Sequence, residues 1–342
     1  VLDYAQRRAD VRRAEELATL AHNENGDYTA ERARLARSLL TDGGGELGLM
    51  SAEKAAQVAY DEVMYNAEHP LGPGEIRDLS TGLVDLDGIT GGLHPGLYAV
   101  AGCTHSGKTA LALQIAVNAA SNGQRALFLS PEMSPGELMH RAVCAAARVT
   151  SREVESGHLS PEQLGRVTNA FGWLSEMALS ISQETHIAKV EALVYQALPL
   201  DLVVIDGVKL LKGARSERTH EAKGELTRWA KGLAENPDVK CPVWLSMQIS
   251  AHQLKHRDDK RPRPGDVYAS GEPEMDADNV LLLHRERYWN PDHFVNSVEV
   301  GYWKSRKRGR ELPASCELLL DQHGAVRDLA KREPPEPYFG GG

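Results

Sequence analysis

One stretch constrains this chain more than any other. Gly102-Cys103-Thr104-His105-Ser106-Gly107-Lys108-Thr109 fits the pattern G-x-x-x-x-G-K-[ST], between an apolar run, Leu97–Ala101, and an Ala/Leu-rich segment opening at Ala110. Strand, glycine-rich turn and helix follow one another, which an isolated Gly-rich turn does not require. The chemistry explains the residue types. Glycines let backbone N–H groups face inward around a phosphate, and the helix start adds its positive end. Lys108 reaches β- and γ-phosphates, and the Thr109 hydroxyl is a ligand for Mg²⁺. The segment from Gly102 to Ala110 therefore reads as a nucleoside triphosphate site.

The surrounding pattern sets the fold class. Apolar, β-rich runs at Ala126–Ser130, Leu179–Ser182, Leu202–Ile205, Val243–Met247, Val280–Leu283, Val298–Trp303 and Cys316–Leu320 alternate with helical stretches. Two helices open on capping boxes, Ser134 to Glu137 and Ser160 to Gln163. Strand–helix alternation with nearly continuous apolar strands predicts an α/β fold with a mainly parallel central sheet covered on both faces. Three helices are expected before it, about 4–22, 29–40 and 51–68, followed by a Pro/Gly linker at Pro70, Pro73 and Gly74. The expected division is a small helical arm over 1–70, a nucleotide-binding domain over 71–332 and a disordered tail over 333–342.

Composition narrows the function classes. The chain has 342 residues, 42% apolar and 25% charged, with a net charge of −9. That is a globular composition, and the acidic balance excludes a protein coated in positive charge, though a local basic stripe can still bind phosphate. The longest apolar stretch falls far short of the ~20 residues of a membrane span, so no membrane partner is expected. Four cysteines without metal or redox spacing suit a reducing cytoplasm. The chain opens on Val1 rather than Met, which points to a fragment with something missing upstream.

Two further carboxylates belong with the phosphate loop. A metal partner should end another apolar strand, and Asp206 does so after Leu202–Ile205. Glu132 follows the run ending at Ser130 and precedes the Ser134 cap. By position it serves equally well as a base for an attacking water or as an acid favoured beside a helix start.

The residues preceding the loop bring a resemblance. Ser80-Thr81-Gly82-Leu83-Val84-Asp85-Leu86-Asp87 through Gly91-Gly92-Leu93-His94-Pro95-Gly96 closely resembles the segment before the P-loop in DnaB-type replicative helicases. Pro131-Glu132-Met133 is similar to that family's second motif, and Asp206 fits its Walker B strand. Leu245-Ser246-Met247-Gln248 resembles the strand carrying its γ-phosphate-sensing Gln. Ser270-Gly271 with Glu274 to Asp278 resembles a further stretch, and Lys304-Ser305-Arg306 the pair that reaches a neighbouring subunit's γ-phosphate. The likeness covers about residues 76–330 with every motif in order.

The resemblance implies a RecA-like motor preceded by a linker arm. It implies ATP and Mg²⁺ as cofactors and a homo-oligomeric, hexameric ring acting on single-stranded DNA during replication. It makes Glu132 the catalytic base, Gln248 a sensor, and Lys304 and Arg306 residues acting in trans. Lys209, Lys212, Arg215, Lys255, Arg257, Tyr268, Ser270 and Gly271 are the expected DNA contacts. A primase and a helicase loader are further candidate partners, and the family's primase-interacting N-terminal domain is absent from this chain. Three departures stand out: Tyr268-Ala269 where the family has Arg-Glu, Gly207-Val208-Lys209 where it favours Tyr-Leu-Gln, and Cys103 and His105 within the loop. A competing reading is a RecA-like ATPase serving as a recombination mediator or regulatory scaffold without unwinding.

Overall fold

The computed structural model describes residues 50–72, 75–213, 219–267, 276–306 and 311–329, the side chains of 219–223 excepted. The chain divides into two units, 1–72 and 73–342. In the first, helix α1 spans Ala52–Glu68. Ser51 caps it by accepting from the Lys54 N–H at 3.2 Å, as its sequence predicts. The helix buries none of its residues. The two helices expected upstream, and the expected tail over 333–342, lie outside the described residues.

The second unit is built on a sheet whose nine strands, among the described residues, run in the order β3-β2-β4-β5-β1-β6-β7-β8-β9. The strands are β1 (Gly96–Gly102), β2 (Ala126–Leu129), β3 (Leu179–Ser182), β4 (Leu202–Asp206), β5 (Pro242–Gln248), β6 (Asn279–His284), β7 (Ser297–Ser305), β8 (Ala314–Leu320) and β9 (Val326–Asp328). Strands β1 to β6 pair in parallel, and β7 to β9 add an antiparallel edge. Each apolar run singled out in the sequence is a strand. The three residues of β9, charged at two positions, carry no such signal.

Pleating explains why the parallel strands read as unbroken apolar runs. In β1, Tyr98 and Val100 face one core with Leu111, Ile115 and Ala116 of the helix Lys108–Ser121, which follows the phosphate loop. Leu97, Ala99 and Ala101 face the other, with Leu226, Ala230 and Leu233 of the helix Thr219–Glu235. At about 1.5 to 3 kcal/mol for each large side chain fully buried, this double layer fixes the sheet's register. All six parallel strands then point their carboxyl ends, Gly102, Leu129, Ser182, Asp206, Gln248 and His284, to one edge. In open α/β sheets that edge is where ligands bind.

The Ser80–Asp87 segment turns out to be a clasp. Asp87 accepts from the Ser80 hydroxyl (2.6 Å), the Thr81 N–H (2.9 Å) and the Thr81 hydroxyl (2.8 Å). Gly82 adopts φ +72°, and a Cβ there would sit 2.5 Å from the Asn118 amide nitrogen. Asn118, on the helix Lys108–Ser121, donates to the Thr81 carbonyl at 2.8 Å. The motif thus straps the chain's entry onto the helix that follows the phosphate loop.

Candidate active site

The phosphate loop is shaped by close backbone approaches. A Cβ on Gly102 would collide with the Ser106 hydroxyl, and one on Gly107, at φ +94°, would lie 2.9 Å from Val298. Both positions exclude any side chain. His105 takes φ +60°, an uncommon and strained conformation for a residue with a Cβ. Its carbonyl is held by a 3.0 Å hydrogen bond from Arg285, which also donates to Asn296 at 2.9 Å. Arg285 and Asn296 carry no motif signal and were not among the expected site residues. Cys103, the other unusual loop residue, is buried in the same core as Leu97, Ala99 and Ala101, and burial pushes its thiol pKa up despite Lys108 nearby. It is a core residue rather than a nucleophile.

The cradle suits a triphosphate with a metal ion. Lys108 donates to the carbonyls of Gly102 (2.9 Å) and Cys103 (2.7 Å), resting on the loop that the phosphates would line. Burial pushes its pKa down to about 8, against the pull of Asp206, Cys103 and Glu132, while Lys209 acts in the same direction as burial. A desolvated ammonium of this kind gains from an incoming anion. Thr109 donates to Asp206 at 2.7 Å, so the two expected metal ligands, one following the loop and one ending β4, already meet. Beside Asp206 in the sheet register lies Ser246, a residue 3% exposed whose buried hydroxyl finds no partner among the described residues. Such an orphaned group fits a hydrated cation next to it.

These residues open onto a cleft of about 1590 Å³ that also takes in Glu132, Lys209 and Gln248. Glu132 stands one residue past Pro131, exposed to the cleft. Gly207, at φ +119°, turns the chain after β4 so that a Cβ there would come 3.8 Å from the Glu132 Cβ. Gln248, at the end of β5, donates through Nε2 to the Thr104 hydroxyl. Its Oε1 accepts from the Lys209 ammonium at 2.9 Å. Sequence reading places Lys209 among the DNA contacts. Its ammonium lines the cleft, bonded to Gln248 at the end of β5.

Other expected residues lie elsewhere. Lys304 and Arg306 sit at the end of β7, opposite the start of β6: Ser305 pairs with Asn279, and the Arg306 N–H donates to the Asp278 carbonyl at 2.9 Å. The phosphate loop lies at the other end of the same strands. Five residue steps along β6, at about 3.3 Å each, separate the two edges by roughly 17 Å. Arg257 is committed to Asp266, which is nearly buried, through two guanidinium hydrogen bonds, one of 2.7 Å. That pairing fixes the guanidinium beside Asp266 and leaves its remaining N–H donors available. Lys212 and Lys255 are exposed. Arg215, Tyr268, Ser270 and Gly271 fall outside the described residues.

With this geometry in place, the comparisons with known proteins are direct. Residues 78–311 match the DnaB-like helicase C terminal domain. The chain is 34% identical to the replicative DNA helicase DnaB of Geobacillus stearothermophilus over 256 residues, covering 72% of this chain and 54% of that protein. It is 32% identical to the replicative DNA helicase DnaC of Bacillus subtilis, covering 68% of this chain and 53% of that protein. It therefore spans about half the length of the curated relatives it matches. Among solved structures, one ATPase domain is similar with a TM-score of 0.72 and 25% identity, covering 82% of this chain and 99% of that one. A DnaB-like replicative helicase solved with its primase interactions in view has a TM-score of 0.75 at 23% identity, covering 96% of this chain and 77% of that one, a likeness of fold. Among the described residues, no helix is long and apolar enough to cross a membrane.

Proposed function

The chain belongs to the DnaB-like helicase C-terminal domain family, and from that premise we propose that it is the ATP-driven motor of a ring-forming cytoplasmic helicase. In this reading it translocates on single-stranded DNA and separates duplex DNA in replication. The observation that carries it is the division of the site between two edges of one sheet. Lys108, Thr109, Asp206, Glu132 and Gln248 gather at the carboxyl edge, while Lys304 and Arg306 occupy the opposite one. An arginine about 17 Å away cannot reach its own γ-phosphate, but a neighbouring copy in a closed ring can present it.

The chemistry follows from the residues in place. Lys108 exchanges its carbonyl partners for β- and γ-phosphate oxygens, and the loop N–H groups hold the β-phosphate. Thr109 and Asp206 would hold Mg²⁺, which neutralises charge on the β- and γ-phosphate oxygens when bound. Glu132 orients a water and accepts its proton as the water oxygen bonds to the γ-phosphorus. The bond from that phosphorus to the ADP oxygen breaks, and ADP departs. Gln248 reports the presence of the γ-phosphate, and Arg306 with Lys304 from the next copy stabilises the charge it develops.

DNA contacts are assigned to Lys212, Lys255 and Arg257, with Arg215, Tyr268, Ser270 and Gly271 on the same sequence segments. A primase is a proposed partner by analogy with the solved relative's interactions with primase, and a helicase loader is another. The test is a mixing experiment. Arg306→Ala alone should lose hydrolysis by about 10³-fold or more, the scale of an arginine acting in trans, while retaining ATP binding. Mixed with Lys108→Ala subunits, it should regain activity at interfaces joining one intact loop to one intact arginine. Mixed rings that form without any recovery would refute the division. A wild-type ATPase indifferent to single-stranded DNA would favour a regulatory scaffold over a motor.

A further inference from the structure

Lys209 stands where the family pattern favours Gln, and its contacts give the exchange a meaning. Gly207 at φ +119° starts a tight turn, Val208–Leu210, and Val208 is 1% exposed, so the turn is anchored in the core. From that anchor the Lys209 ammonium reaches Gln248 Oε1 at 2.9 Å. The other end of the same amide donates to the Thr104 hydroxyl, inside the phosphate loop. A relay of three side chains thus joins the phosphate loop, the end of β5 and the segment after β4.

The donor inventory makes the relay directional. An amide can present either its oxygen or its nitrogen on a given side, and a glutamine partner would accept or donate with equal ease. An ammonium has three donors and no acceptor. It can bond only the oxygen of Gln248, which forces the NH₂ group toward the phosphate loop. That is the orientation a sensor of phosphate oxygens needs, since those oxygens only accept.

We infer that Lys209 is a positioning residue that locks the Gln248 amide with its donor face toward the γ-phosphate, raising the preference of the site for ATP over ADP. The inference rests on the reading of the cleft as an ATP site. Lys209 is exposed and outside the core, so its replacement leaves folding intact, which a thermal melt verifies.

The experiment measures binding of ADP and of a non-hydrolysable ATP analogue by calorimetry, without turnover. Lys209→Met should lower the ratio of analogue to ADP affinity by about tenfold, the worth of one charge-assisted hydrogen bond. Affinity for ADP itself should change little. Lys209→Arg, also donor-only, should restore the ratio, whereas Lys209→Gln should not. In a Gln248→Met background, Lys209→Met should cost nothing more, because Lys209 acts through that amide. An unchanged ratio in Lys209→Met, with both nucleotides still bound, overturns the inference alone. A full additional loss in the Gln248→Met background replaces it with a direct phosphate contact. A wild-type chain that binds neither nucleotide overturns the ATP-site reading and this inference with it.

Discussion

Asp278 holds the edge of the sheet that carries Arg306, and replacing it by Asn isolates the charge. Asp278 is 4% exposed, and its carboxylate accepts from Lys231 at 2.6 and 2.7 Å and from the Leu97 N–H at 2.8 Å. Arg306 lies 3.8 Å away. Burial raises the pKa of Asp278, but Lys231, the Leu97 N–H and Arg306 outweigh it and hold the group ionised. Asn keeps the size and can still accept from Leu97. It must then turn its NH₂ toward the Lys231 ammonium, donor against donor, leaving a side chain that is only 14% exposed without its main counter-charge. Orphaning one member of a buried pair costs about 3 to 5 kcal/mol. Lys231 retains Glu235 at 2.9 Å, so the cost should fall below that range, to about 2 to 3 kcal/mol, the worth of a hydrogen bond to a charged group. At about 2 to 4 °C per kcal/mol for a domain of this size, Tm should drop by roughly 5 to 10 °C. Thermal unfolding followed by circular dichroism reads the shift. Adding Lys231→Met should recover part of it, since removing both partners is cheaper than stranding one. A Tm within about 1 °C of wild type, or a double variant worse than the single one, would refute the account.

Two further expectations concern the cleft and the helices beneath it. Lys108→Ala should abolish ATP turnover, and Glu132→Gln should keep ATP bound while stopping hydrolysis, because only the proton acceptor is lost; near-normal turnover in Glu132→Gln would reassign Glu132 to the adjoining helix start. Glu153 accepts from the Thr150 hydroxyl and N–H and from Gln163, which hold its pKa at about 2 against an ordinary 4.5. A pKa depressed by folding contributes stability that is present above the ordinary value and lost as pH falls toward about 2. Glu153→Gln should therefore flatten the dependence of Tm on pH between 4.5 and about 2, and an unchanged acid limb would show that the cap contributes nothing.

What the sequence made legible, and what it hid, follows the reach of each physical signal. Parallel strands buried on both faces must be apolar throughout, so β1, β4 and β5 announce themselves. So do Ser134 and Ser160, whose capping boxes form as their spacing requires. The phosphate loop was legible because backbone geometry admits few residue types there. Contacts that depend on where a turn aims were not. Lys209 follows Asp206 by three residues, and nothing local shows that its ammonium meets Gln248, 39 residues on; the turn that starts at Gly207 precedes that contact. Arg285 was silent for the same reason: its partner, the His105 carbonyl, is 180 residues away, on a residue with a left-handed backbone. Arg257 reads as one more cation in a basic segment until Asp266 closes on it.

The hydrogen bonds already made within the cleft bear on how the proposed ATP site would divide affinity from discrimination. Three of the groups that would meet MgATP already have internal partners: Lys108 its two carbonyls, Thr109 the Asp206 carboxylate, Gln248 the Thr104 hydroxyl and Lys209. Binding then exchanges one set of hydrogen bonds for another, and the net gain per bond is only about 0.5 to 1.5 kcal/mol for neutral groups, more where charge is involved. The charged exchanges, Lys108 and the Thr109–Asp206 pair, must therefore carry most of the affinity. Neutral Gln248 can contribute discrimination more readily than strength. A sensor of that kind is useful only if its orientation is fixed before the γ-phosphate arrives. A donor-only neighbour on an anchored turn fixes it, and a second amide in that place would leave it free to flip.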